Sequence, residues 1–120
     1  MAKSKAYYRR IADRLYQEIG RKNYDKCLVC GNPVSCLHHY FPKSSAGNLR
    51  YNFSNGIPVC QGCHFRHHNG YPEIHNAINF IMGSDWLNKL REEKKTFIKC
   101  DTIGYYQDKI DELKEILGNP

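Results

Sequence analysis

The sequence of 120 residues has no long run of apolar residues, and it does not begin with a charged segment followed by an apolar one. These absences predict that the chain has no membrane span and no signal peptide, and we expect it to act in the cytoplasm. In that reducing compartment, metal binding explains the six cysteines better than disulfides do. We expect residues 1–120 to form one small domain, and so small a core gains much from a bound metal.

Acidic residues are missing from the middle of the chain, because no Asp or Glu occurs between Lys26 and Pro72. This absence excludes a carboxylate ligand and a carboxylate base from any active site in that stretch. A catalytic metal there must be bound by imidazole, and a general base there must be histidine.

Positive charge is concentrated in the first half. The formal net charge is +6, and residues 1–66 carry eleven Lys or Arg against three acidic residues, whereas residues 67–120 carry seven against nine. This distribution indicates that the first half binds an anionic partner such as the phosphates of a nucleic acid. A solvated basic face with no partner is the alternative.

Hydrophobic spacing predicts an α+β chain with two short strands between helices. The expected strands cover residues 35–40 and 56–60, and the expected helices cover residues 4–19, 61–69, 72 onwards, 84 or 85 onwards, and 101–117. Gly20 is expected to end the first helix, and Ser84 or Asp85 to cap the fourth. The intervening loop, residues 41–54, has alternating apolar residues that can add edge pairing.

Two Cys-x-x-Cys pairs predict a structural zinc site. Each pair places two thiolates about one tetrahedral edge apart, and two pairs complete a closed site with no open position. The four cysteines are Cys27, Cys30, Cys60 and Cys63. Redox thiols or disulfides are the alternative, but a disulfide within either pair would close a very short loop. Cys36 and Cys100 have no partner at metal spacing and are interpreted as buried apolar residues.

Five histidines lie between and beside these cysteines. His64 and His68 are four residues apart on an expected helix, so both imidazoles can bind one ion, and His67 is the fallback for the same role. His38 and His39 are adjacent on an expected strand and therefore point to opposite sides. One of the two can bind the metal while the other faces a substrate.

In this order and spacing, residues 27–70 resemble the HNH nuclease family. The resemblance implies a ββα-metal fold, with His38 as the first metal ligand, His39 as the general base, and His64 and His68 as ligands from the helix. Asn55 matches the middle Asn of the family and is expected to hold the loop and orient the His39 ring by hydrogen bonding. The implied architecture is a zinc-anchored core, residues 27–70, between a basic N-terminal helix, residues 1–26, and C-terminal helices, residues 71–120.

The resemblance also implies the chemistry, which is metal-dependent hydrolysis of DNA that leaves 5′-phosphate and 3′-hydroxyl ends. The expected cofactors are a structural Zn²⁺ and one catalytic divalent cation, for which three imidazoles favour Mn²⁺, Co²⁺, Ni²⁺ or Zn²⁺ over Mg²⁺. DNA is the expected partner, with little sequence specificity and no prediction for the oligomeric state. The candidate phosphate contacts are Lys43, Arg50, Arg66, Arg9, Arg10 and Arg14.

Two other functions compete with this interpretation. A zinc-dependent module that binds nucleic acid without cutting it would use the cysteines, but it would leave the histidine set unexplained. A structural adaptor would use the C-terminal helices alone. The segments at residues 49–63 and 81–90 are also similar to phage recombination proteins of the NinG type, and a phage-encoded chain would act in the host cytoplasm.

Overall fold

The computed structural model describes residues 2–96 and 98–118. Within these residues, five α-helices accompany one antiparallel sheet of two strands, so the α+β fold class is confirmed. None of these helices is both long and apolar enough to cross a membrane. In chain order the elements are α1 (Lys5–Asn23), β1 (Cys36–His39), β2 (Gly56–Val59), α2 (Gln61–His68), α3 (Pro72–Met82), α4 (Ser84–Lys95) and α5 (Ile103–Ile116).

The short sheet lies between two groups of buried side chains. In the pairing of β1 with β2, His38 is opposite Ile57 and His39 is opposite Gly56. Leu37, on the same side of β1 as His39, packs with buried residues of α1 and α5. Ile57 packs instead with buried residues of α3 and α4 and with two of the cysteines. The sheet therefore separates two halves. We call the packing of α1 with α5 the helical half, and the packing of α3 and α4 with the cysteines the cysteine half.

Helix α1 continues past the residue that was expected to end it. Ser4 caps its first turn, as an N-cap serine should, but Gly20 lies inside the helix and is buried. A Cβ atom on Gly20 would lie 2.3 Å from the Cγ of Leu37, so the glycine lets α1 approach β1 closely. The predicted stop was wrong because close packing, rather than a turn, requires a glycine here.

Two further local expectations were also wrong. Neither Ser84 nor Asp85 caps α4; the N-cap is Gly83, whose φ of 88° suits glycine because other residues rarely adopt it. The loop between the strands forms two short 3₁₀ turns, Gly47–Leu49 and Phe53–Asn55, rather than an edge strand. Hydrogen bonds between this loop and α4 replace the expected strand pairing, as in the bond from Trp86 Nε1 to the Ser54 carbonyl at 2.8 Å.

The contact at Gly20 generates a stability prediction. Gly20→Ala should lower the free energy of unfolding by about 1–3 kcal/mol, because the added methyl group must displace the buried Leu37. This packing cost is partly offset by the gain of about 1 kcal/mol that alanine has over glycine in a helix interior. Gly104→Ala is the matched control, since nothing lies within 4 Å of its added Cβ. Urea unfolding should rank the control above Gly20→Ala, and equal effects would contradict the packing argument.

Candidate functional site

Four cysteine sulfurs come together at one end of the sheet. The Sγ atoms of Cys27, Cys30, Cys60 and Cys63 all lie within 4.8 Å of one another, and those of Cys30 and Cys60 are 3.5 Å apart. A tetrahedral zinc site with Zn–S bonds of about 2.3 Å has S–S edges of about 3.8 Å. The cysteine cluster therefore fits a closed zinc site, as the spacing of the two pairs predicted.

Backbone groups fix the positions of these sulfurs and favour the ionised form of Cys27. Cys60 is the N-cap of α2, and its sulfur accepts a hydrogen bond from the Cys63 N–H at 3.4 Å. Burial raises the pKa of Cys27, but nearby backbone N–H groups, including those of Cys30 and Cys60, outweigh burial and lower that pKa to about 7. The Leu28 N–H donates to the Pro58 carbonyl at 2.8 Å, so the first cysteine pair is bonded directly to β2.

Three histidines form a second group that can hold a metal ion. One ring nitrogen from each of His38, His64 and His68 lies within 4.8 Å of the other two. His38 is buried, with 4% of its surface exposed, whereas His68 is exposed to solvent. Three nitrogen ligands with solvent on one side leave a coordination position for another ligand. The geometry thus brings together the three residues that the resemblance assigned to one ion.

The protonation of this group suits metal binding. Burial, followed by the neighbouring His67, His64 and His68 rings, lowers the pKa of His38 to about 3. Burial and the charge of His68 also lower the pKa of His64. Both rings are therefore neutral at neutral pH, and each keeps a lone pair for a metal.

His67 and His75 lie beside the group of three. His67 Nδ1 contacts His38 Nε2, so the expected fallback ligand is within reach of the same site. His75 lies outside the group, where its Nε2 donates to the Tyr40 hydroxyl at 3.1 Å and that hydroxyl donates to Asn79 Oδ1 at 2.7 Å. His75 therefore has the structural contacts that were expected for it.

His39 points to the opposite side of β1, towards α1. Its Nε2 lies 2.8 Å from the Arg50 carbonyl oxygen, and because a carbonyl can only accept, Nε2 must carry the proton. Nδ1 is then the nitrogen that can take up another proton. Burial lowers the pKa of His39, with Lys43 contributing in the same direction, and the Arg50 carbonyl only partly opposes this change.

One cavity of about 500 Å³ connects the two sides of β1. Its lining includes His38 and His39 together, although their rings point in different directions. The remaining charged or polar side chains of the lining are those of Gln17, Cys36, Lys43, Ser44, His64, His67 and His68. A substrate in this cavity would contact a metal on the His38 side and the His39 ring at the same time.

Asn55 holds the loop, but it does not bond to His39 as expected. Its side chain is fully buried, where its Oδ1 accepts from the Phe41 N–H at 2.8 Å and its Nδ2 donates to the carbonyls of Phe41 and Leu49 at 3.1 and 3.4 Å. All of these partners are backbone groups of the loop itself. The correction is that the Arg50 carbonyl, rather than the Asn55 side chain, orients the His39 ring.

Three of the six predicted phosphate contacts have carboxylate partners. The Arg50 guanidinium makes two hydrogen bonds to the Asp13 carboxylate, at 2.8 and 2.6 Å, and is only 18% exposed, so it is a structural residue. Arg9 faces Asp101, with a distance of 4.0 Å between charged atoms. Arg14 makes a looser pair with Glu18 at 3.7 Å and stays exposed.

The other three predicted phosphate contacts remain free of carboxylates. Within residues 2–96 and 98–118, no carboxylate oxygen lies within 4.0 Å of the charged nitrogens of Lys43, Arg10 or Arg66. Lys43 lines the cavity itself, and Arg10 and Arg66 are exposed. These three residues stay candidates for phosphate binding.

Sequence reasoning missed several contributions of α1. Gln17 bonds both the N–H and the carbonyl of Leu37, at 2.8 and 2.9 Å, and the Tyr16 ring stacks on His39 with centroids 5.4 Å apart. The sequence contained one signal for this face, since Asp13, Gln17 and Arg21 are polar residues at intervals of four along a helix.

Cys36 also departs from expectation. It is half-buried rather than buried, and its Sγ lies 3.6 Å from His64 Nδ1. That contact occupies one ring nitrogen of His64. When Nδ1 donates its proton to this sulfur, Nε2 of His64 keeps the lone pair that a metal needs.

Comparison with known proteins gives one partial similarity. The mitochondrial DNA mismatch repair protein mutS homolog of Sarcophyton glaucum is 34% identical to this chain over 74 residues. The matched segment covers 58% of this chain and 7% of that protein. No family model matches the chain, and no solved structure matches it. The similarity therefore concerns a small part of a much longer protein.

The cysteine cluster generates a prediction about metal content. Cys60→Ser should lower bound zinc and thermal stability together, because losing one thiolate opens the site and metal binding is coupled to folding in small domains. Cys100→Ser, which changes a cysteine outside the cluster, should keep about one zinc per chain for the structural site. Elemental analysis and a melting curve on the same samples test both variants. A Cys60→Ser protein with unchanged zinc content and melting temperature would contradict the assignment.

Proposed function

We propose that this chain is a metal-dependent endonuclease of the HNH type that hydrolyses phosphodiester bonds of DNA. One observation carries the proposal: a group of three histidines that can bind a metal and a separately oriented fourth histidine line the same cavity. A metal on one side of a phosphate and a base on the other is the arrangement that hydrolysis by an in-line water requires.

His38, His64 and His68 are the residues that would bind the catalytic ion. The imidazoles of His38 and His64 are neutral at neutral pH, and the exposed position of His68 leaves room for phosphate oxygen atoms on the solvent side. When bound, a divalent ion supplies positive charge that stabilises the phosphorane-like transition state and the leaving 3′ oxygen. Because the cavity lining contains no carboxylate, we expect Mn²⁺, Co²⁺, Ni²⁺ or Zn²⁺ to bind more tightly than Mg²⁺.

His39 would act as the general base. Its Nε2 is committed to the Arg50 carbonyl, so Nδ1 is the nitrogen that accepts a proton from the attacking water. Its pKa is lowered by burial, which keeps the ring neutral and able to accept at neutral pH. Asn55 supports this role indirectly, because its bonds to Phe41 and Leu49 hold the loop in which Arg50 lies.

DNA is the proposed substrate for two reasons. The similar protein from Sarcophyton glaucum is named for DNA mismatch repair. In addition, exposed basic side chains surround the cavity: Lys43 lines it, and Arg10, Arg14 and Arg21 share one face of α1 with the cavity residue Gln17. These side chains would contact phosphates rather than bases, so we expect little sequence specificity.

Histidine variants test the proposal by separating the base from the ligands. His39→Ala should lose cleavage by about 10² to 10⁴-fold while keeping metal binding, because only the proton acceptor is removed. His64→Ala should lose cleavage together with the second metal ion. Cleavage is measured on supercoiled plasmid with added Mn²⁺, Ni²⁺ or Mg²⁺, and metal binding is measured by calorimetry on zinc-loaded protein.

His75→Ala provides the matched histidine control and should cut at close to the native rate. If the wild-type protein binds DNA and cuts it with none of these ions, the non-catalytic zinc module becomes the better description. If His39→Ala loses its second metal ion instead, the roles of His38 and His39 have been exchanged.

The basic surface generates a separate prediction for binding. Arg21→Gln and Arg66→Gln should each weaken DNA binding on all sequences alike and lower the slope of log affinity against log salt by about one, because each removes one phosphate contact. Lys114→Gln, on α5, makes the same charge change away from the cavity and should leave the slope unaltered. Fluorescence anisotropy without added divalent cation measures the slopes. Equal slopes for all three variants would show that phosphates bind elsewhere.

A further inference from the structure

Helix α1 lies outside the segment that carries the cysteine and histidine ligands, yet its side chains surround His39. The Tyr16 ring stacks on the His39 ring at 22° between planes, and on its other side it stacks on Phe53 with centroids 4.8 Å apart. The Tyr16 hydroxyl donates to the Asn52 carbonyl at 2.9 Å. The orientation of His39 is thus linked to Tyr16 of α1, which lies more than twenty residues earlier in the chain.

Asp13, also on α1, accepts hydrogen bonds from Arg50 and Tyr51. One carboxylate oxygen accepts from Arg50 Nε and from the Tyr51 hydroxyl, both at 2.8 Å, and the other accepts from Arg50 Nη2 at 2.6 Å. Burial by itself raises the pKa of Asp13, but hydrogen bonds from Arg50 and Tyr51 outweigh it and the net pKa is lowered. Asp13 is therefore ionised at neutral pH, and two parallel charge-assisted bonds fix the Arg50 side chain.

Arg50 connects this ion pair to the proposed base through its own backbone. Its side chain is bonded to Asp13, and its carbonyl oxygen accepts the His39 Nε2 proton. Without the ion pair, the Arg50 backbone would be held by turn hydrogen bonds alone, from Arg50 N–H to the Gly47 carbonyl at 3.2 Å and from Asn52 N–H to the Leu49 carbonyl at 3.1 Å. The Arg50 carbonyl would then be less firmly aligned with the His39 ring, and the preference for a proton on Nε2 would weaken.

We propose that Asp13 is a positioning residue for His39, acting through the side chain and backbone of Arg50. Its effect on turnover rests on the proposed nuclease function, whereas its effect on the His39 ring does not. Asp13 does not touch the cavity, and it changes only which nitrogen of His39 carries the proton and how steadily the ring is held.

The direct test observes the His39 ring by long-range ¹H–¹⁵N NMR, with its signals identified by their absence in His39→Gln. In the wild-type protein, the neutral ring should be predominantly the Nε2–H tautomer. Asp13→Asn should shift the ring nitrogens towards a mixture of the two tautomers, because the carbonyl no longer holds the proton at Nε2. Asp101→Asn is the matched control, since it removes another carboxylate bonded to α1 that is remote from His39, and it should leave the signals unchanged.

Turnover provides the second readout. With Mn²⁺ and supercoiled plasmid, Asp13→Asn should lower kcat about tenfold to a hundredfold while KM stays within about twofold, because alignment rather than binding is lost. A merely structural role would lower the folded fraction without altering the tautomer of the protein that remains folded. If wild-type protein cuts nothing while the ring signals behave as expected, the nuclease proposal fails and the positioning role stands.

Arg50→Lys keeps the inference testable if Asp13→Asn does not fold. Lysine retains the charge facing Asp13 but cannot make two parallel bonds, so it should reproduce the tautomer change with less effect on stability. Unchanged His39 signals in the folded variant would overturn the proposal. So would the same change in Asp13→Asn and Asp101→Asn, because the effect would then not be specific to Arg50.

Discussion

Neighbouring residues of a β-strand point to opposite faces of the sheet, and in β1 this puts two adjacent histidines into different surroundings. His38 faces α2 and the other candidate ligands, while His39 faces α1 and the Arg50 carbonyl. Only 3.8 Å of backbone separates their Cα atoms, as across any trans peptide. Both can therefore line one cavity from different directions, and one residue inserted between them would place both on the same face.

The two halves of the molecule contribute differently to this site. In the cysteine half, β2 and the start of α2 are held by backbone hydrogen bonds, such as that from the Leu28 N–H to the Pro58 carbonyl. These bonds place the histidine ligands relative to a cluster that itself fits a zinc ion. Within residues 2–96 and 98–118, neither group of possible metal ligands includes a residue of α1 or α5. The helical half instead supplies Tyr16, which stacks on His39, and Asp13, which bonds to Arg50. The group of three histidines and the His39 ring are therefore positioned by separate sets of contacts.

The sequence predicted the parts of the site that depend on local spacing and missed those that depend on packing. The cysteine pairs and the interval between His64 and His68 bring their atoms together through local geometry, so they could be found without a fold. The bond between Asp13 and Arg50 spans 37 residues and exists only because α1 packs where it does. The sequence therefore offered Arg50 as a phosphate contact without indicating its carboxylate partner. The resemblance correctly implied that Asn55 holds the loop, but it did not indicate that the Arg50 carbonyl, rather than Asn55, bonds to His39.

The packing of α1 against α5 has a consequence for biosynthesis. Tyr106, Ile110 and Leu113 of α5 are buried with Leu15 and Ile19 of α1, so the first helix completes its core only with the last one. During synthesis, the residues of the cysteine half and the histidines of β1 and α2 leave the ribosome before α5 does. We therefore expect the cysteine half to be able to fold on the nascent chain, whereas the surroundings of His39 are completed after α5 emerges. On a growing chain, the possible metal-binding groups would thus come together before the surroundings of His39 are ordered.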